Sequence, residues 1–364
     1  MPLSDLPLDS LMAGGLAIGI VLGGTIQTSR FCLVAAVANA TLVRDVRQVI
    51  GWLVALAVAL AGTQWLEWRG LVEVADSGYR AARLDWAGAA LGGLLFGVGS
   101  MLAGGCAART LVGAAEGNIG GGIALVAFAL CAWLVLFGAL EPARIALMTH
   151  TAVELPAGDA SLAKLLAVPP AMAAPGIVLG LTALAAILWR RGSDASLAFA
   201  GLVVGVLVIA GWWVTGVLGP ASMAAVRPDS ISFAGPLARA ARALAAGTLS
   251  GGVFGVALLV GTLAGAFVTA LVRRRFRIIR PTLQQAAHSL VGGALMGLGG
   301  GLAGGCNIGH GLTGLAALSV KSVIVVAAIV AGILVALAWL YRQPAGASSG
   351  VADADAKPGT LAPR

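Results

Sequence analysis

Nine long runs of apolar residues dominate this chain of 364 residues. A helix of about 20 apolar residues is long enough to cross the hydrocarbon core of a bilayer. Only 10% of the residues are charged, against about 25% in a soluble domain. The sequence therefore predicts an all-α polytopic membrane protein, and it argues against a soluble enzyme, a nucleic-acid binder and a disulfide-rich secreted domain. The predicted spans are Leu11–Ile26, Val49–Gly62, Trp86–Ala103, Gly121–Leu140, Pro175–Trp189, Leu197–Leu218, Leu244–Val272, Ala286–Ala303 and Val323–Leu340.

Basic loops predict an orientation in the bacterial inner membrane. The two densest basic clusters, Arg273–Arg280 and Arg190–Arg191, are separated by two spans, so both can lie in the cytoplasm. The same scheme places the N-terminus and the segments 64–85 and 141–170 outside the cell. It also places segment 227–242 outside, although its three arginines would favour the cytoplasm. It places the C-terminus in the cytoplasm. Residues 1–10 lack the basic start of a secretory signal, so no cleaved segment is expected.

An internal repeat divides the chain into two halves. Gly92–Cys106 and Gly292–Cys306 are identical at ten of fifteen positions, which composition alone does not produce and which indicates a duplication. After a one-residue insertion the match continues, and Leu111–Gly113 aligns with Leu312–Gly314. A weaker match pairs TSRFCLVA, which begins at Thr28, with SISFAGPL.

One span left over between the halves predicts that the second half is inverted relative to the first. Inverted-topology repeats recur in secondary transporters, with the substrate site near the bilayer midplane. Ser29–Val43 and Asp229–Arg242 would then be re-entrant or half-spanning pieces. The predicted organisation is an N-terminal tail (1–10), a first repeat (11–140), an external loop with a linking span (141–190), a second, inverted repeat (191–341) and a disordered tail (342–364).

Polar chemistry concentrates where two spans are interrupted by glycine. At each interruption a Gly-Gly pair precedes a cysteine, and a cation-capable side chain follows. A helix that begins after such a break presents unbonded backbone N–H groups and a partial positive charge to an anion. An arginine within a membrane segment is costly and marks a functional-site hypothesis. The candidate substrate-binding residues are Gly104, Gly105, Cys106 and Arg109 at one break, Gly304, Gly305, Cys306, Asn307 and His310 at the other, and Arg30 and Cys32 after the first span.

Other readings of these residues stay open. Arg30 can instead extend to the membrane surface, and Glu116, Asn118 and Lys321 are interpreted as polar groups at span ends. Cys131, inside an uninterrupted span, is interpreted as a small buried hydrophobe. Three thiols and a histidine can bind Cu(I) or Zn, but no short ligand spacing is present, so we predict no metal, no other cofactor and no catalytic residue.

Three motifs make the chain resemble the YeeE/YedE family of sulfur-transport membrane proteins. They are FCLVAA, GGCAARTLVGAAEGN, and GGCNIGHGLTGLAAL followed by LSVKS, in that order along the chain. The resemblance implies an hourglass-shaped inverted repeat that takes up thiosulfate, with Cys32, Cys106 and Cys306 along a central path. The arginine and the EGN of the second motif are closer to the YedE branch, which is linked to selenium metabolism. The alternative substrates are therefore a selenium species or another sulfur oxyanion.

The resemblance also implies a transporter rather than an enzyme. A soluble sulfur carrier of the TusA type often accompanies this family and is an expected cytoplasmic partner. Neutral thiols can donate weak S–H hydrogen bonds to the terminal sulfur of thiosulfate. The alternatives from other classes are a membrane thiol oxidoreductase, which would cycle a disulfide, and a structural scaffold, which would not need its cysteines.

Overall fold

The computed structural model describes residues 6–155, 160–165, 167–168, 170–219, 227–247 and 252–342. Within these ranges, nine helical stretches are long and apolar enough to cross a membrane. The first half contains α1 (Leu6–Ser29), α2 (Leu33–Leu42), α3 (Arg47–Trp68), a 3₁₀ turn (Val74–Asp76), β1 (Arg83–Asp85), α4 (Trp86–Leu102), α5 (Ala107–Ala115), α6 (Ile119–Phe137), α7 (Glu141–Thr151), β2 (Ala152–Glu154) and α8 (Leu162–Leu165). The linking helix is α9 (Pro170–Trp189). The second half contains α10 (Ala195–Trp213) with a π-helical end (Val214–Leu218), α11 (Ala234–Ala246), α12 (Val253–Val272), α13 (Leu283–Ala303), a π-helical segment (Gly309–Gly314) and α14 (Val320–Arg342).

The all-α membrane architecture is confirmed, and each predicted span overlaps one of these helices. The predicted span Leu244–Val272 begins too early, because α11 ends at Ala246 and α12 begins at Val253. Gly247 and Gly252 have φ values of +67° and +71°, a conformation that only glycine adopts at little cost. The residues between them, 248–251, lie outside the described ranges, as does the predicted disordered tail from residue 343 onward.

Two predicted irregular segments contain regular structure. Helix α1 begins at Leu6, so residues 6–10, predicted as part of an N-terminal tail, are helical. The predicted external loop 141–170 contains α7, β2 and α8. Hydropathy missed α7 because this helix of 11 residues has no buried residue and carries charged and polar groups.

Helix contacts repeat between the two halves. Helix α1 packs on α12 as α10 packs on α3, and α4 packs on α14 as α13 packs on α6. Helices α4 and α13 also cross each other. Exchanging α1 with α10, α3 with α12, α4 with α13 and α6 with α14 maps these contacts onto themselves, which supports the duplication. That the halves are inverted across a membrane stays a prediction.

Glycine allows the central α4–α13 crossing. A methyl group added at Gly92 would lie 2.6 Å from the carbonyl oxygen of Gly299. At the equivalent Gly292 it would lie 2.7 Å from the carbonyl oxygen of Gly99. Small residues let membrane helices approach this closely, so the repeated glycines hold the two breaks near the centre of the molecule.

Loop contacts group the connecting segments into two sets. Strands β1 and β2 pair antiparallel, which joins the segment after α3 to the segment after α7, and Ser161 pairs with Ser319. At a separate contact, Asn118 pairs with Ile279, which joins the end of α5 to the basic segment 273–280. The predicted orientation requires the same grouping, because it places segments 64–85 and 141–170 on one side of the membrane and segment 273–280 on the other. Which set faces the cytoplasm stays a prediction.

Candidate functional site

The two Gly-Gly-Cys breaks, Gly104–Cys106 (the first break) and Gly304–Cys306 (the second break), share one backbone geometry. Gly104 and Gly304 have φ values of +75° and +78°. The N–H of Gly105 donates to the carbonyl of Ser100 at 2.9 Å, and that of Gly305 donates to Gly300 at 3.0 Å. This six-residue closure with a left-handed glycine is the Schellman ending of a helix. The glycine pair therefore ends α4 and α13 in the same way.

Each of the three candidate cysteines precedes the first turn of a helix. Cys106 is the N-cap of α5 and Cys32 is the N-cap of α2. Cys306 comes directly before a helical turn that begins at Asn307, and its Sγ accepts a hydrogen bond from the N–H of Gly309 at 3.4 Å. Helix starts carry unbonded N–H groups and partial positive charge. All three sulfurs therefore lie where the backbone favours negative charge.

The three cysteines are all buried in the protein core, and we call them the thiol cluster (Cys32, Cys106 and Cys306). The thiols of Cys32 and Cys106 are neighbours, and Cys306 is close enough to Cys106 to interact electrostatically. All three are free thiols. Cys131 is also free but half-buried, and its Cβ faces the backbone of Gly297 in a helix contact, which agrees with its interpretation as a packing residue.

Unsatisfied polar atoms lie next to Cys106 and on the helix that follows it. Asn307 is buried next to the Cys106 thiol, but its geometry gives neither amide atom a hydrogen-bond partner among the described residues. Nη1 of Arg109 is also buried and without a hydrogen-bond acceptor in that part of the chain. Buried donors are nearly always satisfied in proteins, so such atoms call for an explanation, such as a ligand or water.

Arg109 and Arg30 both approach the carboxylate of Glu116, which the sequence analysis interpreted as a polar group at a span end. Nη1 of Arg30 lies 3.7 Å from Oε2 of Glu116, and Nη1 of Arg109 lies 3.6 Å from the same oxygen. We call these three residues the charge cluster. Arg109 and Glu116 are seven positions apart along α5 and its C-cap, a spacing that places them on one helix face. That spacing was the available signal for Glu116, whereas the approach of Arg30 is a long-range contact.

Gln48 fixes the backbone between Arg30 and Cys32. Its Oε1 accepts from the N–H of Cys32 at 3.3 Å, and its Nε2 donates to the carbonyl of Arg30 at 3.4 Å. Arg30 has a φ of +59°, a left-handed conformation that costs a residue other than glycine about 1–2 kcal/mol. Sequence reasoning missed Gln48 because nothing in the pattern of α3 points to this turn.

His310 connects the second break to α13 and α14 through its two ring nitrogens. Its Nε2 lies 3.3 Å from the carbonyl oxygen of Ala303, and its Nδ1 lies 2.9 Å from Oγ of Ser322. A carbonyl oxygen only accepts, so Nε2 carries the proton and, in the neutral ring, Nδ1 accepts from the serine hydroxyl. The edge of the ring contacts Tyr79, with centroids 5.5 Å apart.

Arg109 and His310 occupy equivalent places, as the alignment predicted. A Cβ added at Gly105 would lie 2.8 Å from Cγ of Arg109, and one at Gly305 would lie 2.7 Å from Cδ2 of His310. Each side chain therefore covers the second glycine of its break. The cation near the second break is a different residue, Lys321, whose Nζ lies 3.6 Å from a Cβ built on Gly304.

The metal-binding alternative has no ligand set in the described ranges. There, no three His, Cys, Asp or Glu side chains converge closely enough to hold a metal ion.

Comparison with known proteins gives the family. Residues 28–335 match the family model described as sulphur transport. The chain belongs to this sulphur-transport family. The thiosulfate transporter TsuA of Escherichia coli (strain K12) is 28% identical over 358 residues, which cover 92% of this chain and 96% of that protein. The thiosulfate transporter TsuA of Spirochaeta thermophila is 26% identical over 352 residues, which cover 85% of this chain and 92% of that protein.

The region matched to the sulphur-transport family contains every residue of the site. It includes the thiol cluster, both breaks, the charge cluster and Lys321. Family membership therefore rests on the part of the chain in which the buried cysteines lie, and the recognition made from the three motifs is confirmed.

Proposed function

We propose that this protein takes up thiosulfate across the bacterial inner membrane, past Cys32, Cys106 and Cys306. The observation that carries the proposal is the buried pair of neighbouring thiols, Cys32 and Cys106, with Cys306 and the unsatisfied amide of Asn307 close to Cys106. An unsatisfied donor of Arg109 lies on the helix that Cys106 caps. Membership of the sulphur-transport family and two relatives named as thiosulfate transporters give independent support.

Thiosulfate has two chemically different ends, and the site has a group for each. Its terminal sulfur is a soft acceptor, which the S–H of a neutral cysteine can approach as a weak donor. Its three oxygens are acceptors for a guanidinium and an amide, and Nη1 of Arg109 and Nδ2 of Asn307 have unused donor capacity. The thiols recognise the sulfur, and the arginine and asparagine recognise the oxygens.

The mechanism needs weak sites rather than one strong site. A dianion near the bilayer midplane without compensation is costly, and Arg30, Arg109 and the three helix starts supply positive potential. A protonated thiol adds no negative charge, whereas a thiolate would repel the substrate. Conduction requires binding that is strong enough to admit the ion and weak enough to release it. Successive S–H donors meet that requirement, so the protein acts as a transporter and not as an enzyme.

The alternative substrates are a selenium species or another sulfur oxyanion. The motif that departs toward the YedE branch contains Arg109 and Glu116, which pair with each other on the helix that Cys106 caps. This departure therefore lies at the site itself. Competition of labelled thiosulfate uptake by selenite, selenosulfate, sulfite and sulfate distinguishes these substrates, and thiosulfate is expected to compete best.

A second candidate function is a membrane thiol oxidoreductase, because Cys32 and Cys106 are in contact. In that case a Cys32–Cys106 disulfide would form and be reduced during turnover. Mass spectrometry of the protein, alkylated without prior reduction after uptake, tests for it. We expect free thiols throughout, and a disulfide that appears only in the presence of substrate would favour the oxidoreductase.

Initial uptake of labelled thiosulfate into proteoliposomes tests the transport proposal. Cys32→Ala, Cys106→Ala and Cys306→Ala should each reduce uptake, while Cys131→Ala, which keeps the Cβ that packs on α13, should not. Wild-type uptake in all four variants would contradict the proposal. Equal loss in all four would show that the cysteines act through folding.

The orientation and the soluble partner belong to the same proposal. Reporters that are active only in the cytoplasm should work when fused after Arg191 and after Arg342 and should be silent at Glu154. The carrier of the TusA type would receive sulfur at the cytoplasmic face, near the basic segment 273–280. Co-purification of such a carrier with the wild-type protein, and its loss when that segment is neutralised, tests the partner.

A further inference from the structure

The charge cluster begins directly beside the contact between Cys32 and Cys106. Arg30 lies two residues before Cys32, and Arg109 lies three residues after Cys106. Both guanidiniums then reach Oε2 of Glu116, at 3.7 and 3.6 Å. The side chains of Arg30, Arg109 and Glu116 are 35%, 19% and 13% exposed. The cluster is therefore a partly buried set of charges at one end of the thiol cluster.

The local backbone holds all three charges in place. Gln48 bonds the carbonyl of Arg30 and the N–H of Cys32, and Arg109 projects from α5. Glu116 is the C-cap of α5, and its carbonyl accepts from the N–H of Arg277 at 3.0 Å. The carboxylate is thus anchored where α5 meets the basic segment 273–280, and an anion that leaves Cys106 toward this segment meets it.

We infer that Glu116 is an internal counter-anion, which competes with the transported anion for Arg30 and Arg109 and so sets how tightly that anion is held beside Cys106. The inference rests on the proposed function, since it assigns a release step to the same site. Within the cluster, two positive charges face one negative charge, a net charge of +1.

The distances and the unused donor favour an ion pair in which the transported anion can replace Glu116 at Arg109, rather than a permanent pair. Both contacts to Oε2 are longer than the 2.7–2.9 Å typical of a charge-assisted N–H···O bond. Nη1 of Arg109 is buried and has no hydrogen-bond acceptor among the described residues. An oxyanion can therefore bond to Arg109 while Glu116 stays close, and the repulsion between the two anions then favours departure.

Glu116→Gln tests this role, because it keeps the shape of the side chain and removes its charge. The net charge of the cluster rises to +2, so a dianion should bind more tightly and leave more slowly. We expect KM for thiosulfate uptake to fall about tenfold and the maximal rate to fall as well. Glu116→Asp keeps the charge but is one methylene shorter, and it should lower KM less than Glu116→Gln does. The double variant Arg30→Gln/Glu116→Gln restores the net charge of +1 and should recover a large part of the maximal rate.

Asp45→Asn is the matched control. It also removes one carboxylate from a pair with an arginine, since Asp45 pairs with Arg47 in the loop that follows α2, but it lies outside the charge cluster. It should leave KM and the maximal rate unchanged. A fall in KM in Asp45→Asn equal to that in Glu116→Gln would contradict the inference, because the effect would then be general surface attraction.

Equilibrium binding by calorimetry separates this inference from the proposed function. If wild-type protein neither binds nor takes up thiosulfate, the proposed function fails. If wild-type protein does both, and Glu116→Gln binds thiosulfate no more tightly than wild type, only the counter-anion inference fails. A raised KM with unchanged maximal rate in Glu116→Gln would also overturn it, since Glu116 would then only position Arg109.

Discussion

The two breaks have the same backbone and opposite side-chain chemistry. Gly104 and Gly304 have nearly the same φ, and the same closure follows at Gly105 and Gly305. Beyond that the breaks differ. At the first, a guanidinium with an unused donor faces a carboxylate. At the second, an imidazole is bonded on both nitrogens to Ala303 and Ser322.

This difference separates the part of the duplicated unit that both breaks keep from the part that has diverged. Glycine and the helix start that follows are needed at both breaks, since both end a helix and begin another within the molecule. The residue that covers the second glycine has diverged. At the first break it is an arginine that pairs with Glu116, and at the second it is a histidine whose ring nitrogens bond to Ala303 and Ser322.

The largest effect is expected at the thiols. Cys106→Ala should lower initial thiosulfate uptake about tenfold or more, since it removes an S–H donor to a charged acceptor and also the contact with Cys32. Cys306→Ala, its counterpart at the second break, should lower uptake by a similar factor. Labelled uptake in proteoliposomes, normalised to folded protein, is the measurement, and Cys131→Ala is the control. A loss confined to one break would show that the duplicated cysteine has only one functional copy.

Arg109 and His310 should respond differently to the same substitution. Arg109→Gln should lower uptake about tenfold, because a charge-assisted bond to the anion is lost, with little change in melting temperature. Arg109→Lys should recover part of the rate, since it restores charge without the planar fork. His310→Gln should lower the free energy of unfolding by about 1–3 kcal/mol while uptake per folded protein changes less than in Arg109→Gln, at pH 8 as at pH 6. The opposite ranking would reverse the roles assigned to the two breaks.

Gly104→Ala and Gly304→Ala should destabilise the protein equally. An alanine in the left-handed region costs about 1–2 kcal/mol, and a built Cβ meets nothing within 4 Å at Gly104 and only the end of a flexible lysine at Gly304. Thermal unfolding in detergent measures the loss. Gly122→Ala on α6 is the matched control, because it has helical geometry and open space around it, and it should be neutral or slightly stabilising. Unequal losses at the two breaks would contradict their structural equivalence.

The smallest effect is expected at Lys321. Lys321→Gln should lower uptake about threefold at low ionic strength, because it removes a cation near Gly304 that attracts an approaching dianion, and by less at high salt. Lys321→Arg should behave like wild type. Lys164→Gln, at an exposed position of α8, removes a charge elsewhere and should have no effect. A loss of uptake that does not depend on salt would show that Lys321 binds the anion directly instead of attracting it from a distance.

The sequence predicted the features that depend on local pattern. Hydropathy located the spans because about 20 apolar residues form a helix in a membrane whatever their neighbours. The repeat located both breaks and paired Arg109 with His310, since a duplicated glycine pair imposes the same backbone. The start of α12 was placed too early, because residues 244–253 carry no charge and are Leu, Ala, Gly and Val apart from one threonine and one serine.

The features that were missed depend on contacts between distant parts of the chain. Glu116 carries no pattern that predicts an approach of Arg30, and Gln48 lies just before the predicted span Val49–Gly62, where nothing points to its bond with Arg30. His310 was predicted as a substrate-binding residue because imidazole can be charged, and that role stays a prediction. Its bonds to Ala303 and Ser322 depend on how α14 packs against the break, which no spacing in the sequence specifies.

Protection of the thiols by substrate tests most directly whether thiosulfate passes them. In a Cys131→Ala background, alkylation of Cys32, Cys106 and Cys306 by N-ethylmaleimide is followed by mass spectrometry of the peptides, with thiosulfate, with sulfate and without added anion. The account predicts that thiosulfate slows alkylation at all three cysteines and that sulfate, which lacks the terminal sulfur, slows it much less. Alkylation at the same rate with and without thiosulfate, in protein that takes up thiosulfate, would contradict it.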